Sequence, residues 1–362
     1  MSRQVLLNPG PVNVSERVRA ALALPDLCHR EAEFFDLQDE VLFLLVSVFG
    51  LSAGGHVGTL LTGSGTAALE AAVSSAVSPA GRMLVVDNGV YGDRIRKIAR
   101  AHGIAHDAIP APWTERPDLD ALRSRLAKER YEVVAAVHHE TTTGLINPVI
   151  EIGRAAADHG ALFLVDSISG LGGEEFDFEA TGADLVVGTA NKCIQGLPGV
   201  SFVLARRDTT PRWAAHPPRS LYLHLPAYMA EQSRRSTPYT PAVQVLSAFR
   251  EALRELAEET VTGRILRYRR ASEYLRGEFS QMRLEFLLPP ELRSNTITAL
   301  SLPAGWTYPD LHDRMKERGF VIYAGQGALS ATAFRVANMG WIEPADLARF
   351  SSELRKMISC KR

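Results

Sequence analysis

The sequence predicts an α/β protein: a mostly parallel central sheet sandwiched by helices, followed by a smaller C-terminal α/β domain. Short apolar strands alternate with amphipathic helices through the first two thirds of the 362 residues. That alternation is typical of a parallel sheet covered on both faces. Glycine or polar residues follow these strands, as they do at the ligand-binding edge of open α/β sheets. After Pro241 long helices predominate, which indicates a second domain.

The elements of the first domain follow from hydrophobic periodicity. A helix is predicted where Leu37, Val41, Leu44, Leu45 and Val48 recur at helical spacing. Short apolar runs predict the strands of the sheet, and they lie at residues 57–61, 83–86, 133–137, 161–165, 185–187 and 200–204. Helices are predicted around residues 95–99 and 150–158.

The elements of the second domain are longer on average. Helices are predicted at residues 243–256 and 265–279, the second rich in arginine, then a strand at 297–302, a helix from Tyr308 to a stop at Gly319, a strand at 320–323, and a last helix through residues 347–354. We therefore expect an N-terminal arm at residues 1–15, a large domain at 16–245 and a small domain at 246–362.

Composition and charge exclude several classes of protein. The 40 basic and 41 acidic residues leave a formal net charge of -1, which argues against binding nucleic acid through a broad basic surface. Three cysteines, Cys28, Cys193 and Cys360, do not suggest a disulfide framework, so a reducing compartment is expected. The first residues lack the pattern of a signal peptide, and the most apolar stretch, 42–51, is too short to span a bilayer. We expect a cytoplasmic protein with no membrane partner.

A glycine-rich turn lies between an apolar strand and a helix. Residues 63–68 fit G-x-G-x-x-A, and Asp87 ends the next strand, as in a nicotinamide dinucleotide fingerprint. An NAD-dependent dehydrogenase is therefore one interpretation of the turn. Glycines and a helix N-terminus suit any phosphate, however, including that of a smaller cofactor. A simple tight turn without a ligand is the third interpretation.

Lys192 and Asp166 follow two of the predicted strands. Lys192 lies in a segment closed by Gly196, Pro198 and Gly199, and Asp166 ends a strand earlier in the same predicted sheet. A lysine that forms a Schiff base, paired with an acid that protonates a pyridine nitrogen, is what pyridoxal phosphate chemistry requires. A solvated loop lysine and a capping aspartate remain the alternative interpretations of the two residues taken singly.

These motifs together resemble the class V aminotransferases of the fold-type-I pyridoxal phosphate superfamily, over nearly the whole chain. The resemblance is carried by residues 8–11, 63–66, 88–92, 140–144, 165–167, 190–196, 219–221 and 334–338. Within the family it is strongest to the members that move the amino group of 2-aminoethylphosphonate to pyruvate. That resemblance implies a ping-pong reaction that yields phosphonoacetaldehyde and alanine.

The resemblance implies a role for each cofactor-facing residue. Lys192 would bind pyridoxal 5'-phosphate as a Schiff base and then carry the proton between the substrate carbon and the cofactor C4′ carbon. Asp166 would pair with the pyridine nitrogen, and Tyr91 would stack on the ring unless it is an ordinary core aromatic. Thr142 would bind the phenolic oxygen, and Asn191 would also contact the cofactor.

The resemblance further implies phosphate and substrate contacts. Gly65 and Thr66 would hold the cofactor phosphate, and Thr240 would reach the phosphate of the neighbouring subunit's cofactor, which implies a homodimer. Arg335 would clamp the carboxylate of alanine or pyruvate, although an arginine in a strand can also serve an interface ion pair. Asn13 would contact substrate.

Residues 26–34 depart from the family pattern associated with aminoethylphosphonate. Arg30 in this segment would meet a phosphonate or carboxylate if the segment faces substrate; a solvated helix start is the alternative. Alanine/serine–glyoxylate or other phosphonate transaminases therefore remain open, as does a binding protein that kept the fold without catalysis. A cysteine desulfurase is disfavoured because residues 324–333 contain no cysteine. A metal site at His138 and His139 is disfavoured because neighbours on a strand point to opposite faces.

Overall fold

The computed structural model describes residues 4–360, so residues 1–3 of the predicted arm and 361–362 of the predicted small domain lie outside the described residues. The helices are α1 (Glu16–Ala20), α2 (Ala32–Ser47), α3 (Gly65–Ala76), α4 (Val90–Ala101), α5 (Leu119–Lys128), α6 (Val149–Asp158), α7 (Phe178–Thr181), α8 (Leu225–Gln232), α9 (Val243–Glu259), α10 (Val261–Gln281), α11 (Tyr308–Glu317) and α12 (Pro344–Cys360). The strands are β1 (Val5–Leu6), β2 (His56–Thr62), β3 (Arg82–Asp87), β4 (Ala105–Pro110), β5 (Val133–Val137), β6 (His139–Glu140), β7 (Leu145–Ile146), β8 (Leu162–Asp166), β9 (Leu185–Thr189), β10 (Val200–Arg206), β11 (Ile297–Ser301), β12 (Phe320–Val321), β13 (Tyr323–Ala324) and β14 (Ala333–Ala337).

A seven-stranded sheet forms the centre of the molecule, in the order β2-β10-β9-β8-β5-β3-β4. Strand β10 runs antiparallel to both of its neighbours, and the remaining pairs are parallel. The predicted mostly parallel sheet is therefore confirmed. Strand β4 at the edge was not predicted, because its polar His106 and Asp107 break the apolar run that marks the inner strands.

Both faces of this sheet are buried. Met83 and Val85 of β3 belong to one cluster of buried side chains, whereas Leu84 and Val86 belong to another. Because side chains alternate between the faces of a strand, the two clusters lie on opposite sides of the sheet. This explains why the inner strands are continuous apolar runs rather than alternating ones.

The small domain is built on the three-stranded antiparallel sheet β11-β14-β13. Strand β1 of the N-terminal arm pairs with β12, and Val5 and Leu7 are buried in the same cluster as the small-domain helices. The single strand predicted at 320–323 is wrong in one respect. It is divided between β12, which pairs with the arm, and β13, which pairs with β14, because the chain turns from one sheet to the other at Ile322.

Helix α9 packs against the large domain. Its buried side chains, including Phe249 and Leu253, belong to a cluster on one face of the central sheet, whereas Leu275 and Phe279 of α10 belong to the small-domain cluster. Thr260, at φ 66°, separates the two helices. Helix α9 therefore packs with the elements of the large domain and α10 with those of the small domain, and the division at residues 245 and 246 stays a prediction.

Candidate active site

Lys192 lies in the loop after β9, beneath the N-terminal arm. Its Nζ donates a hydrogen bond to the Pro9 carbonyl. Gly10 lies at φ +103°, and a Cβ added there would be 2.8 Å from the Lys192 Cδ. Only glycine therefore lets the arm cover the lysine this closely. Burial lowers the pKa of Lys192 from 10.5 to about 8, so about a tenth of the amine is neutral at pH 7.

Asp166 ends β8, in register with Val137 of β5 and Val187 of β9. Its side chain is 2% exposed, and Oδ1 accepts a hydrogen bond from the Ile168 N–H at 3.0 Å. Oδ2 is buried without a hydrogen-bond partner among the described residues. Burial raises the pKa of this carboxyl to about 6. A buried oxygen of this kind is costly unless an N–H, above all a cationic one, meets it, and the pyridine nitrogen of pyridoxal phosphate is such a partner.

The glycine-rich turn opens helix α3. Gly65 and Thr66 are the first two residues of this helix, where backbone N–H groups lack partners within the helix. A Cβ added to Gly65 would lie 2.9 Å from the Ile168 side chain, which follows Asp166. The helix N-terminus and the strand end that carries Asp166 are therefore in close contact, and the N-terminus suits a phosphate group.

Glu140 is a buried carboxyl that had been assigned no role from the sequence. It is 0% exposed and accepts hydrogen bonds from the Thr142 hydroxyl at 2.5 Å, the Thr142 N–H at 3.2 Å and the Gly92 N–H at 3.3 Å. A Cβ added to Gly89 would lie 2.2 Å from its Cδ. Burial raises the pKa of Glu140 to about 7, although these hydrogen bonds oppose the rise. Glu140 therefore holds the start of helix α4, which carries Tyr91. Two sequence features could have pointed to this role of Glu140. It is a glutamate directly after a buried strand, and a glycine turn precedes the helix that carries Tyr91.

Thr142 is committed to the protein. Its hydroxyl donates to Glu140 and accepts from the Val90 N–H at 3.0 Å. The hydroxyl proton is thus not free for a phenolic oxygen in this arrangement, and the expected cofactor contact stays a prediction. The structure indicates that Thr142 contributes by fixing the loop after β6 to the start of α4.

Arg335 joins the two domains at the site. It lies on β14, is 5% exposed, and donates to the Ala324 carbonyl at 2.9 Å, the Thr141 carbonyl at 2.8 Å and the Gln326 side chain at 3.2 Å. All three partners are neutral, and no carboxylate of the described residues forms an ion pair with it. Burial lowers the pKa of this guanidinium. A buried cation held by neutral acceptors is suited to an anionic ligand, for which its planar fork is well shaped.

Two predicted site residues make other contacts in this chain, and a third is exposed. The Asn191 Oδ1 accepts from the Thr189 hydroxyl at 2.9 Å, which supports the lysine loop. Asn13 lies among the arm's own backbone: its Oδ1 accepts from the Leu6 N–H at 2.7 Å and its Nδ2 donates to the Gln4 carbonyl at 3.3 Å. Asn13 therefore positions the arm, and its expected substrate contact stays a prediction. Thr240 is exposed, as a residue that serves a neighbouring subunit would be.

Asp166 and Arg335 both lie close enough to Lys192 to act on its pKa: after the larger effect of burial, Arg335 lowers it and Asp166 raises it. His138 and His139 do not share a site: His138 pairs with the Ser167 hydroxyl at 2.9 Å, and His139 with the Ser169 carbonyl at 3.2 Å. Within residues 4–360 no group of three or more His, Cys, Asp or Glu side chains is arranged to hold a metal ion. Over the same residues, no helix has both the length and the hydropathy needed to cross a membrane.

Comparison with known proteins agrees with this geometry. The family model described as Aminotransferase class-V matches residues 52–351. A curated relative named 2-aminoethylphosphonate--pyruvate transaminase, from Syntrophobacter fumaroxidans, is 37% identical over 95% of this chain and 94% of its own length. One of the same name from Vibrio cholerae is 35% identical over 98% of this chain and 97% of its own length.

Solved structures are similar over almost the full length. An alanine--glyoxylate aminotransferase from Nostoc sp. has a TM-score of 0.93 at 27% identity, covering 99% of this chain and 96% of its own. An aspartate aminotransferase from Thermus thermophilus has a TM-score of 0.89 at 28% identity, covering 98% and 99%. The overall fold of this chain is thus one that solved aminotransferases share.

Proposed function

The chain belongs to the class-V aminotransferase family, and on that premise we propose that it moves the amino group of 2-aminoethylphosphonate to pyruvate, with pyridoxal 5'-phosphate as its cofactor. The relatives that carry this activity in their names are 35–37% identical over nearly the whole chain. Family membership decides against the dehydrogenase that the glycine turn alone allowed. The products of the proposed reaction are phosphonoacetaldehyde and alanine.

One observation carries the cofactor assignment: Asp166 Oδ2 is buried with no hydrogen-bond partner among residues 4–360, and it lies in the same site as a lysine of lowered pKa. When bound, pyridoxal phosphate supplies an electron-accepting ring that stabilises negative charge at the substrate carbon. Asp166 would hold a proton on the ring nitrogen, and that N–H would satisfy the oxygen. Gly65 and Thr66 would bind the phosphate through the N-terminus of α3.

Lys192 performs the proton transfer in this proposal. Its Nζ would hold the cofactor at the carbonyl carbon, and a pKa of about 8 leaves about a tenth of the amine neutral and nucleophilic at pH 7. Lys192 Nζ would also be the base that takes the proton from the amino-bearing carbon of the substrate and returns it on the cofactor side. The Pro9 carbonyl is the acceptor that orients Nζ.

Arg335 would bind the acid group of both substrates in turn. A ping-pong reaction passes the amine donor and the keto acid through one site, so one guanidinium can serve the phosphonate and then the carboxylate. Its neutral partners favour this role, because an anionic ligand would be the first negative charge paired with it.

A homodimer is part of the proposal. Leu221 is 84% exposed and Tyr222 42%, and the Tyr222 hydroxyl reaches the Thr62 carbonyl at 3.5 Å, just before the glycine turn. Thr240 is exposed close by, since the Thr62 hydroxyl accepts from the Ala242 N–H at 3.1 Å. A second copy on this apolar face would cover it and bring Thr240 to the neighbouring phosphate site.

The test is a visible absorption spectrum of the purified protein with pyridoxal phosphate bound, recorded during addition of one amine and no keto acid. Loss of the bound-cofactor band with 2-aminoethylphosphonate, and its return on adding pyruvate, is the expected result. Alanine, serine and aspartate are the parallel donors. A response to one of these alone would replace the named donor and favour an alanine/serine–glyoxylate reaction. Absence of any band after incubation with the cofactor would overturn the whole proposal.

A further inference from the structure

Arg94 is a cation of the site that neither the family resemblance nor the mechanism above uses. It lies on the first turns of α4, three residues after Tyr91, and its guanidinium carbon is 4.5 Å from the centre of the Tyr91 ring. Its Nη1 donates to the Thr66 hydroxyl at 3.3 Å. Arg94 therefore spans the space between the aromatic ring and the glycine-rich turn.

Within residues 4–360, no acidic side chain forms an ion pair with Arg94. Its neighbours on the same helix differ: Arg96 pairs with Asp87 at 2.5 Å, and Lys97 pairs with Asp93 at 2.6 Å. A guanidinium has five N–H donors, and a single hydroxyl and a ring face leave most of them available. A partly buried cation in this state is one that a negatively charged ligand would complete.

The charge of Arg94 also acts on the catalytic pair. After the larger effect of burial, it lowers the pKa of both Asp166 and Lys192. Arg94 is thus electrostatically coupled to the site's centre as well as in contact with the phosphate-binding turn.

We propose that Arg94 binds the phosphorus-containing dianion that enters this site, through a charge-assisted hydrogen bond beside Thr66. The inference rests on the proposed function, which supplies two such groups: the phosphate of the cofactor and the phosphonate of the amine substrate. Contact with Thr66 on the glycine-rich turn favours the cofactor phosphate. Tyr91, under the same guanidinium, would then be fixed by a group that itself holds the ligand.

The experiment measures binding to the full-length chain freed of cofactor. Dissociation constants for pyridoxal phosphate and for pyridoxal, which lacks the phosphate, are obtained by protein fluorescence for wild type, Arg94→Gln and Arg94→Lys. Hydrogen bonds to charged groups contribute about 1.5–3 kcal/mol, so Arg94→Gln should raise the dissociation constant for pyridoxal phosphate about 10- to 100-fold. The dissociation constant for pyridoxal should change less than about twofold. Arg94→Lys should recover part of the lost affinity for pyridoxal phosphate because it keeps the charge. Lys97→Gln on the same helix is the matched control and should change neither constant.

A second arm distinguishes the two sources of the dianion. Protein saturated with pyridoxal phosphate is titrated with 2-aminoethylphosphonate and with alanine, which carries a carboxylate instead. A rise in the half-saturation for 2-aminoethylphosphonate alone, with cofactor affinity unchanged, would support the proposal with the substrate phosphonate as ligand. Equal losses of affinity for pyridoxal phosphate and pyridoxal, or no loss of affinity in either arm, would overturn the proposal. Arg94 would then only support the Tyr91 ring.

The first arm does not depend on the identity of the amine donor, so failure of the named substrate leaves it intact. If Arg94→Gln does not fold, a second measurement replaces the binding experiment: the thermal stabilisation of wild type and of Arg94→Lys by inorganic phosphate. Stabilisation of wild type that is weaker in Arg94→Lys supports the inference, and equal stabilisation of the two proteins contradicts it.

Discussion

Replacement of Gly10 with alanine should displace the side chain of Lys192. The added Cβ would lie 2.8 Å from Cδ, 2.9 Å from Cε and 3.1 Å from Nζ of the lysine. Restoring an ordinary contact of 3.4 Å to Cδ requires a shift of about 0.6 Å, the difference between 3.4 and 2.8 Å. A misplacement of about 1 Å at a reacting group can cost on the order of 10²-fold in rate, so we expect Gly10→Ala to lower kcat by about 10- to 100-fold.

Backbone strain must be separated from this displacement. Gly10 lies at φ +103°, where alanine costs about 1–2 kcal/mol of stability. Gly305, at φ +77°, has no atom within 4 Å of an added Cβ, so Gly305→Ala should carry a similar strain without moving any active-site group. Both variants should lower the free energy of unfolding by about 1–2 kcal/mol in denaturant titrations.

The assay compares the two variants in a single half-reaction, followed by the absorption of the bound cofactor. Gly10→Ala should be slow and Gly305→Ala should match wild type. If Gly10→Ala retains the wild-type rate, the arm does not restrain Lys192. If both variants slow equally, strain rather than displacement is responsible.

Three further results are expected. Asp166→Asn should slow the half-reaction by about 10²-fold, since an amide cannot hold the proton on the ring nitrogen, and a loss below about threefold would contradict that pairing. Glu140 has a folded pKa of about 7 against 4.5 for the free group, so it favours the protonated folded state, and its contribution to stability is lost as pH rises from about 4.5 to 7. Denaturant titrations of Glu140→Gln should lack this part of the wild-type pH dependence; identical slopes would show that Glu140 is not the group responsible. Leu221→Asp should weaken the proposed dimer at least about tenfold in light scattering, whereas Leu266→Asp, also at an exposed leucine, should not; a dimer intact in both would move the interface elsewhere.

Local pattern alone was sufficient to predict the inner strands of the central sheet and to indicate Asp166 and Lys192 as candidate site residues. The strands before Asp166 and Lys192 are continuous apolar runs, and such runs follow from burial on both faces whatever the details of packing. Because parallel strands end at a common edge, the sequence already placed both residues at that edge. The family match confirms the fold and the transaminase class that these residues indicated.

The tertiary structure decided the contacts between residues far apart in the chain. Lys192 Nζ donates a hydrogen bond to the Pro9 carbonyl, 183 residues away, and the Gly92 N–H donates one to Glu140, 48 residues away. No periodicity within a single element encodes such pairs, because they depend on how loops from different strands meet. The commitment of Asn13 to the arm, the division of the strand at 320–323 and the placement of Arg94 against Thr66 have the same origin. The sequence by itself determined the inner strands of the central sheet and the edge of that sheet at which the candidate site residues lie. Tertiary packing decided which side chains restrain the lysine and which face a ligand. These contacts are non-local, because they join the arm, the glycine turns and helix α4.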